Sequence, residues 1–517
     1  MNRPGPTTIP QPDLDDLSWR SLSRRSLAAS AVLSLAIVAP AVVVLAKLLY
    51  GLHWPLAAIA AACAGAAVLI VAAALAYDEM RLRTTRWRLT DDRVELRSGI
   101  AVRQHLSIPR DRVRSVDLRA DPVRRVFGLT VVKVGTGEHA TDRTELTLDP
   151  LTGHEAERLR HILLRTAAQE EPEGPLAELR WSWIRYAPLT VWSFAGGALV
   201  LGGLYKLVDA FGVNLFSTGT ASGAWEWVTG RPWLTVPLLF LANVVIGLLG
   251  AVLLFAEAWG RYRLEREPGR LRLRRGLLTT RSLTLEERRL RGVELSEPLL
   301  LRLGGGARVK AVATGLGKAE ENETEDVAAL TPPLPRDLAE RLAARLAGAS
   351  DGRLLPPPEA GPFGGGLVPH PRAARRRRVV RALVTVASLA AAAGVASVWL
   401  PLWASPWTWA APVVALPVAL WLAAGSYRSL GHALAERHLI TRRGAVRRRT
   451  VALDRAGIVG WTITQSFFQR RAGLLTVSAT TAAGDGHYDV VDVGRADGLD
   501  LAAEAVPDLL GPFLRKQ

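Results

Sequence analysis

The sequence predicts a multi-pass α-helical membrane protein, three helical hairpins with six spans, that carries three copies of a small antiparallel β module, each closed by a C-terminal helix. Three observations carry this expectation. A stretch beginning at Gly99 recurs at Gly276 and at Gly444 with no gap. Counted from those glycines, Ile108, Leu285 and Leu453 stand nine residues on, and Val113, Leu290 and Ile458 fourteen on. Arg125, Arg302 and Arg470 stand twenty-six on, Gly128, Gly305 and Gly473 twenty-nine on, and Val132, Val309 and Val477 thirty-three on. A repeat of such length means one structural unit built several times. Long uncharged runs precede each copy. Finally, the 517 residues are 49% hydrophobic yet 22% charged, with a net charge of +17, a mixture that suits membrane helices joined to large polar parts.

In chain order, residues 1–26 form a polar tail without the features of a cleaved signal peptide. Residues 27–77 form the first hairpin: runs 27–46 and 54–77 are uncharged, and each is long enough for a bilayer core of about 30 Å. The first β module occupies 78–170, and a linker follows at 171–185. The second hairpin is 186–256, with spans at 186–205 and 232–256, and the second module is 257–347. A Pro/Gly/Arg-rich linker covers 348–378. The third hairpin is 379–425, bent near Pro401 and Pro406, and the third module is 426–517. Arginines flank each hairpin: Arg24 and Arg25 before the first span, Arg81 and Arg83 after the second, Arg180 and Arg185 before the third, Arg261 and Arg263 after the fourth, Arg372 and Arg375 to Arg378 before the fifth, Arg428 after the sixth. Cytoplasmic flanks collect such charge, so both termini and all three modules are expected on the cytoplasmic side of the membrane. Trp54, Trp225, Trp227, Trp233, Trp403 and Trp407 are expected in an outer aromatic belt, and Trp19, Trp181, Trp183 and Trp259 in an inner one.

The first module is the most readable. Trp87, Leu89, Val94 and Leu96 alternate around the polar turn 90–93, which predicts a β-hairpin. Gly99 makes a second turn. Val102, Leu106 and Ile108 continue as strand, as do Val113 and Val116. Residues 121–127, DPVRRVF, predict a short helical turn ended by Gly128. A β run over 129–134, a last strand over 144–148 and a closing helix over 152–168 complete the unit.

This order, with the IP pair at Ile108-Pro109 and the PVRRVFGL stretch carrying Arg125, Phe127, Gly128 and Leu129, resembles the bacterial pleckstrin-homology (PH) family, specifically the YdbS/YdbT-like class fused to membrane hairpins, in its three-copy form. The third copy keeps Gln469, Arg470, Gly473 and Leu474; the second keeps Arg302 but has LLLRLGGG, with glycines where the apolar helix end stands. The resemblance covers nearly the whole chain. It implies three PH-like modules, each a partly open β-barrel or sandwich with a C-terminal helix, a role in envelope stress or in resistance to membrane-acting peptides, and a smaller single-module membrane protein of the same family as partner.

Candidate contact residues are Arg125, Arg302 and Arg470, one per copy. A guanidinium forms paired bonds to phosphate or carboxylate, so these suit an anionic lipid head group or a partner carboxylate. An internal ion pair or a helix cap is the preferred reading, because recurrence between copies that share a fold points first to folding. The run Arg375, Arg376, Arg377 and Arg378 abuts a span, where it sets topology and attracts anionic lipid. Nucleic acid is excluded as a partner, because no recognition module accompanies the charge. The single cysteine, Cys63, lies in an apolar run and excludes an internal disulfide or a cysteine-rich zinc site. No catalytic set, metal site or cofactor motif is legible, which favours a scaffold or regulator over its rivals, a transporter or export component and a lipid-acting membrane enzyme.

Overall fold

The computed structural model describes residues 19–100, 102–113, 115–135, 146–163, 174–189, 202, 203, 206, 230, 232–314, 328–349, 366–399, 405–435 and 437–510. The chain divides into two compact units. The first comprises Met1–Glu171, Ala198–Leu241 and Arg274–Thr284; the second comprises Pro172–Gly197, Ala242–Leu273 and Leu285–Gln517.

In the first unit, β1 (Arg20–Ser21) precedes two long helices, α1 (Ser26–Gly51) and α2 (Leu56–Thr84), which pack on each other. Then come β2 (Arg86–Leu89), β3 (Arg93–Ser98), β4 (Gln104–Pro109), β5 (Ser115–Ala120), α3 (Pro122–Val126), β6 (Leu129–Gly135), β7 (Leu146–Thr152) and α4 (Gly153–Leu163). Two sheets result. One runs β1-β2-β3-β4; the other runs β7-β6-β5 and continues onto β11 (Thr280–Glu286), a strand of the second copy. Alternation sends Trp87, Val94, Leu96 and Ile108 from the first sheet, and Val116, Val132, Val134 and Leu148 from the second, into one core closed by Leu159 and Leu163 of α4. Fully burying each such side chain contributes about 1.5–3 kcal/mol. The Gly99 turn needs glycine: φ is +120°, and a Cβ would stand 1.9 Å from the Val102 carbonyl oxygen. Gly276 and Gly444 repeat this geometry at φ +103°.

The second unit contains β8 (Ala177–Glu178), β9 (Arg263–Glu267) and β10 (Arg270–Arg275), in sheet order β10-β9-β8. It continues with β12 (Leu290–Pro298), α6 (Leu299–Leu303), β13 (Gly306–Ala313), β14 (Leu334–Pro335) and α7 (Arg336–Ala347). Helices α8 (Arg372–Trp399) and α9 (Ser405–Arg428) pack on each other. The third copy follows: β15 (Gly431–Leu434), β16 (His438–Arg443), β17 (Arg447–Asp454), β18 (Gly460–Thr464), α10 (Phe467–Arg471), β19 (Leu474–Thr480), β20 (His487–Gly494), α11 (Arg495–Ala505) and α12 (Pro507–Leu510). One sheet runs β14-β13-β12-β17-β16-β15 and another β18-β19-β20. Leu439, Leu453, Val477, Val490 and Leu501 fill the core of the third copy.

With α5 (Pro232–Trp259), five helices among the described residues, α1, α2, α5, α8 and α9, are long and apolar enough to cross a membrane. Their outward residues, such as Ile37, Val68, Leu253 and Val413, are exposed, as lipid-facing side chains are. Most of the expected third span, 186–205, lies outside the described residues, as do the expected bend at 400–404, Trp225, Trp227 and residues 1–18 of the tail.

The structure departs from the sequence expectations in four places. β5 starts at Ser115, because a 3-10 turn at Arg110–Arg112 ends on Val113. β7 extends to Thr152 and α4 begins only at Gly153. α2 continues to Thr84, beyond the expected end at residue 77, and carries the buried Asp78, whose carboxylate accepts hydrogen bonds from Ser26 and Ser30 at 3.0 Å each. Trp183 and Trp259, expected in an aromatic belt, are buried in protein, and Trp259 meets Tyr262 edge-on.

Candidate functional site

The recurring arginines sit at seams where one copy's strand adds to the next. Within the second unit, β12 and β17 pair antiparallel from Gly292↔Leu453 to Pro298↔Arg447. Arg302, on α6 beside this seam, donates to the Ala445 carbonyl at 3.3 Å. In the first unit Arg125 donates to the Leu277 carbonyl at 2.7 Å. Both carbonyls belong to the residue after a repeat glycine, Gly444 or Gly276, so the contact is the same one made twice. A second pair recurs in the same register: Arg281 meets Asp117 at 3.0 Å, and Arg449 meets Glu294 at 3.6 Å. The β12–β17 seam adds Glu297, which is fully buried and receives Arg448 Nε at 2.6 Å and Arg336 at 3.4 Å. Burial, then the neighbouring Arg448, lowers the Arg302 guanidinium pKa, and the same two causes bring Arg442 to about 10. Arg442 therefore keeps its charge near neutrality. Arg470 occupies the corresponding place in the last copy, and no partner for its side chain is seen among the described residues.

A second cluster lies where helix α8 meets the third β module. Asp492, 2% exposed, binds both Arg377 and Arg378 at the start of α8, the latter at 2.8 Å. Its Oδ1 also accepts from Gln469 of α10 at 2.9 Å. His370 Nδ1 lies 3.1 Å from the Asp492 carbonyl oxygen, and His370 Nε2 lies 3.2 Å from His432 Nδ1. Burial above all, reinforced by His370, pushes His432 down to about 4; burial likewise lowers His370. Both rings are therefore neutral at physiological pH. Of the four-arginine run, Arg377 and Arg378 are thus held internally, while Arg375 and Arg376 are exposed to solvent. The end of α2 has a similar junction: Arg81 pairs with Asp78 at 3.1 Å and lies 3.6 Å from Asp149, which also binds Arg124 at 3.1 Å.

A polar cleft of about 380 Å³ lies in the second unit beside the β12–β17 seam, lined by Arg266, Glu287, Arg291, Arg437, His438 and Asp454 among others. Among the described residues no group of three His, Cys, Asp or Glu could hold a metal ion.

Repeat counting finds Arg125 and Arg302 but misses their acceptors, which are backbone atoms. The Asp117–Arg281 and Glu294–Arg449 pairs were within reach: the acids stand eighteen residues after one repeat glycine and the arginines five after the next. Asp492 gives no such signal, since its ion-pair partner Arg377 lies 115 residues away.

Long apolar helices that alternate with small, strand-sharing β modules define a membrane protein built on a PH-like repeat. The chain belongs to the bacterial PH domain family, whose model matches it at residues 30–167, 211–348 and 381–504. Among curated proteins it is similar to the UPF0699 transmembrane protein YdbT of Bacillus subtilis (strain 168), 22% identical over 452 residues, which cover 81% of this chain and 84% of that one. No solved structure matches the chain.

Proposed function

We propose that the protein is a non-enzymatic membrane scaffold or regulator that holds three PH-like modules in a row against the bacterial inner membrane. The observation that carries this reading is the repeated seam: Arg125 and Arg302 each donate to a carbonyl just after the next repeat glycine. Linked copies raise the effective concentration of weak contacts, which suits tethering. In this reading six spans form three hairpins, each module ends in its closing helix, and both termini and all modules face the cytoplasm. The exposed Arg375 and Arg376 touch the anionic leaflet, at about 1 kcal/mol per residue near the surface. The protein partner is a smaller single-module membrane protein of the same family, and the process is envelope stress or resistance to membrane-acting peptides.

The deciding experiment is affinity capture of the intact protein from native membranes, with co-purified proteins and lipids identified. A stoichiometric protein partner, lost when the third module is blocked by a bound antibody fragment, is expected. Recovery of no protein but of one retained small-molecule substrate would favour the rival readings, a transporter or a lipid-acting enzyme, whose site would be the polar cleft.

A further inference from the structure

The seam is made twice and left open at both ends. Let each residue be numbered by its distance from its own repeat glycine. In the β12–β17 pair, Gly292 is at sixteen and Leu453 at nine, while Pro298 is at twenty-two and Arg447 at three; the two distances sum to twenty-five throughout. The strand equivalent to β12 in the third copy is β18, an edge strand of its sheet. The strand equivalent to β17 in the first copy is β4, also an edge strand. Thr462, Ile463 and Thr464 of β18 are exposed, whereas their counterparts Glu294, Leu295 and Ser296 are buried under the neighbouring copy. Helix α12 packs near β18, with Leu509 and Trp461 against the same core, and leaves those three residues uncovered. On β4, Gln104 and His105 are exposed.

We infer that β18 of one chain pairs antiparallel with β4 of a second copy of this chain, in the register of the internal seams, with Arg470 donating to the Ile100 carbonyl. The rule of twenty-five places Thr462 opposite Leu106, Ile463 opposite His105 and Thr464 opposite Gln104. Arg470 is the third member of the set whose other two, Arg125 and Arg302, bind the residue after the next repeat glycine; after Gly99 that residue is Ile100. Charge supports the match. At the internal seams an acid at eighteen meets an arginine at five. At the open ends both have become neutral, Thr462 at eighteen and Gln104 at five, so docking buries no unpaired charge. Exposed edge strands normally carry charge or proline against stray pairing. GWTIT has neither, and QHLSIP has only a terminal proline, which also occupies the tenth place of the pattern. Both halves of the contact are on this one chain, which selects a second copy as the occupant. The interface is head-to-tail, so it builds rings or rows of chains in the membrane plane. It extends the scaffold reading, but its test reads one strand contact and no other partner, so the two can fail separately.

The test uses the full-length chain in native membranes with Cys63→Ser. Two differently tagged chains are co-expressed, one carrying Ile463→Cys and the other His105→Cys, and the membranes are oxidised with copper phenanthroline. A dimer-mass product bearing both tags is expected. Arg470→Ala should lower its yield about tenfold, the effect of removing one charged hydrogen-bond donor. The register-shifted pair Ile463→Cys with Leu106→Cys, whose side chains point to opposite faces, should give little product. The proposal is overturned by absence of mixed product while both thiols still react with maleimide, by equal yield from the shifted pair, or by cross-linking only at monomer mass when one chain carries both cysteines. Capture of a smaller protein at either cysteine in place of the second copy would equally overturn it.

Discussion

At the residue scale, Asp492 is a buried carboxylate held by two arginines. It has φ +61°, a backbone state that asparagine also tolerates, so Asp492→Asn changes the charge and leaves the turn intact. The substitution leaves Arg377 and Arg378 facing a neutral amide. Breaking one member of a buried ion pair costs about 3–5 kcal/mol, and a loss of that order is expected in thermal unfolding of the purified protein. A change within about 0.5 kcal/mol would mean that water already satisfies the two arginines. The neighbouring histidine pair predicts a pH dependence whose sign is fixed. His432 falls from 6.5 to about 4 on folding, so between those values the unfolded chain binds the extra proton. Stability is full above about pH 6.5, declines as pH falls toward about 4, and levels off below it. His432→Gln should flatten that slope in melting curves taken from pH 7.5 to 4.5, and an unchanged slope would remove the pair from the account.

At the scale of elements, the turns and the seams depend on each other. Gly444 positions the Ala445 carbonyl for Arg302, and a Cβ on it would stand 2.0 Å from the Arg447 carbonyl oxygen at φ +103°. Gly444→Ala should therefore destabilise the second unit by about 1–3 kcal/mol and expose the β12–β17 seam to limited proteolysis. Gly473→Ala makes a useful comparison: φ is +66°, nothing lies within 4 Å of the added Cβ, and a cost of only about 1–2 kcal/mol with an intact seam is expected. If both variants are cleaved alike at the seam, the turn does not hold it. Such elements were readable in the sequence because turns, short helices and strand alternation are local. Gly99, the α3 turn ended by Gly128, and the β2–β3 hairpin all follow from neighbours within a few residues. The partner of a strand is not local. Nothing in the β12 sequence says that its second edge meets β17, more than 150 residues on, and so the copies read as separate barrels until the sheets showed them joined. Arg125 and Arg302 were legible as positions for the same reason that their role was not: the repeat marks the donor, and a carbonyl oxygen leaves no mark in a sequence.

At the scale of the whole molecule, strand pairing constrains topology. A β ladder cannot cross a bilayer, because unpaired backbone groups have no place in hydrocarbon. On the proposed reading, strands β5 and β11 therefore lie on one side of the membrane, and so do strands β12 and β17. Between the second and third copies the chain runs through α8 and α9, an even number of crossings. Between the first and second, α5 is the one described helix long and apolar enough to cross. Parity calls for another crossing in that interval, and the uncharged run at 186–205 is the segment suited to it, which brings the expected count to six. Arginine placement supports the proposed cytoplasmic side: Arg24, Arg25, Arg81 and Arg83 flank α1 and α2, and Arg372, Arg375, Arg376 and Arg428 flank α8 and α9, all at the module ends. A reporter that works only in the cytoplasm should be active when fused after Gln517 and silent when inserted at Gly219, in the link of the second hairpin. A reporter that works only outside should give the reverse. Activity on the same side at both positions would deny the extra crossing, and with it the reading of the β5–β11 pairing as a constraint on topology.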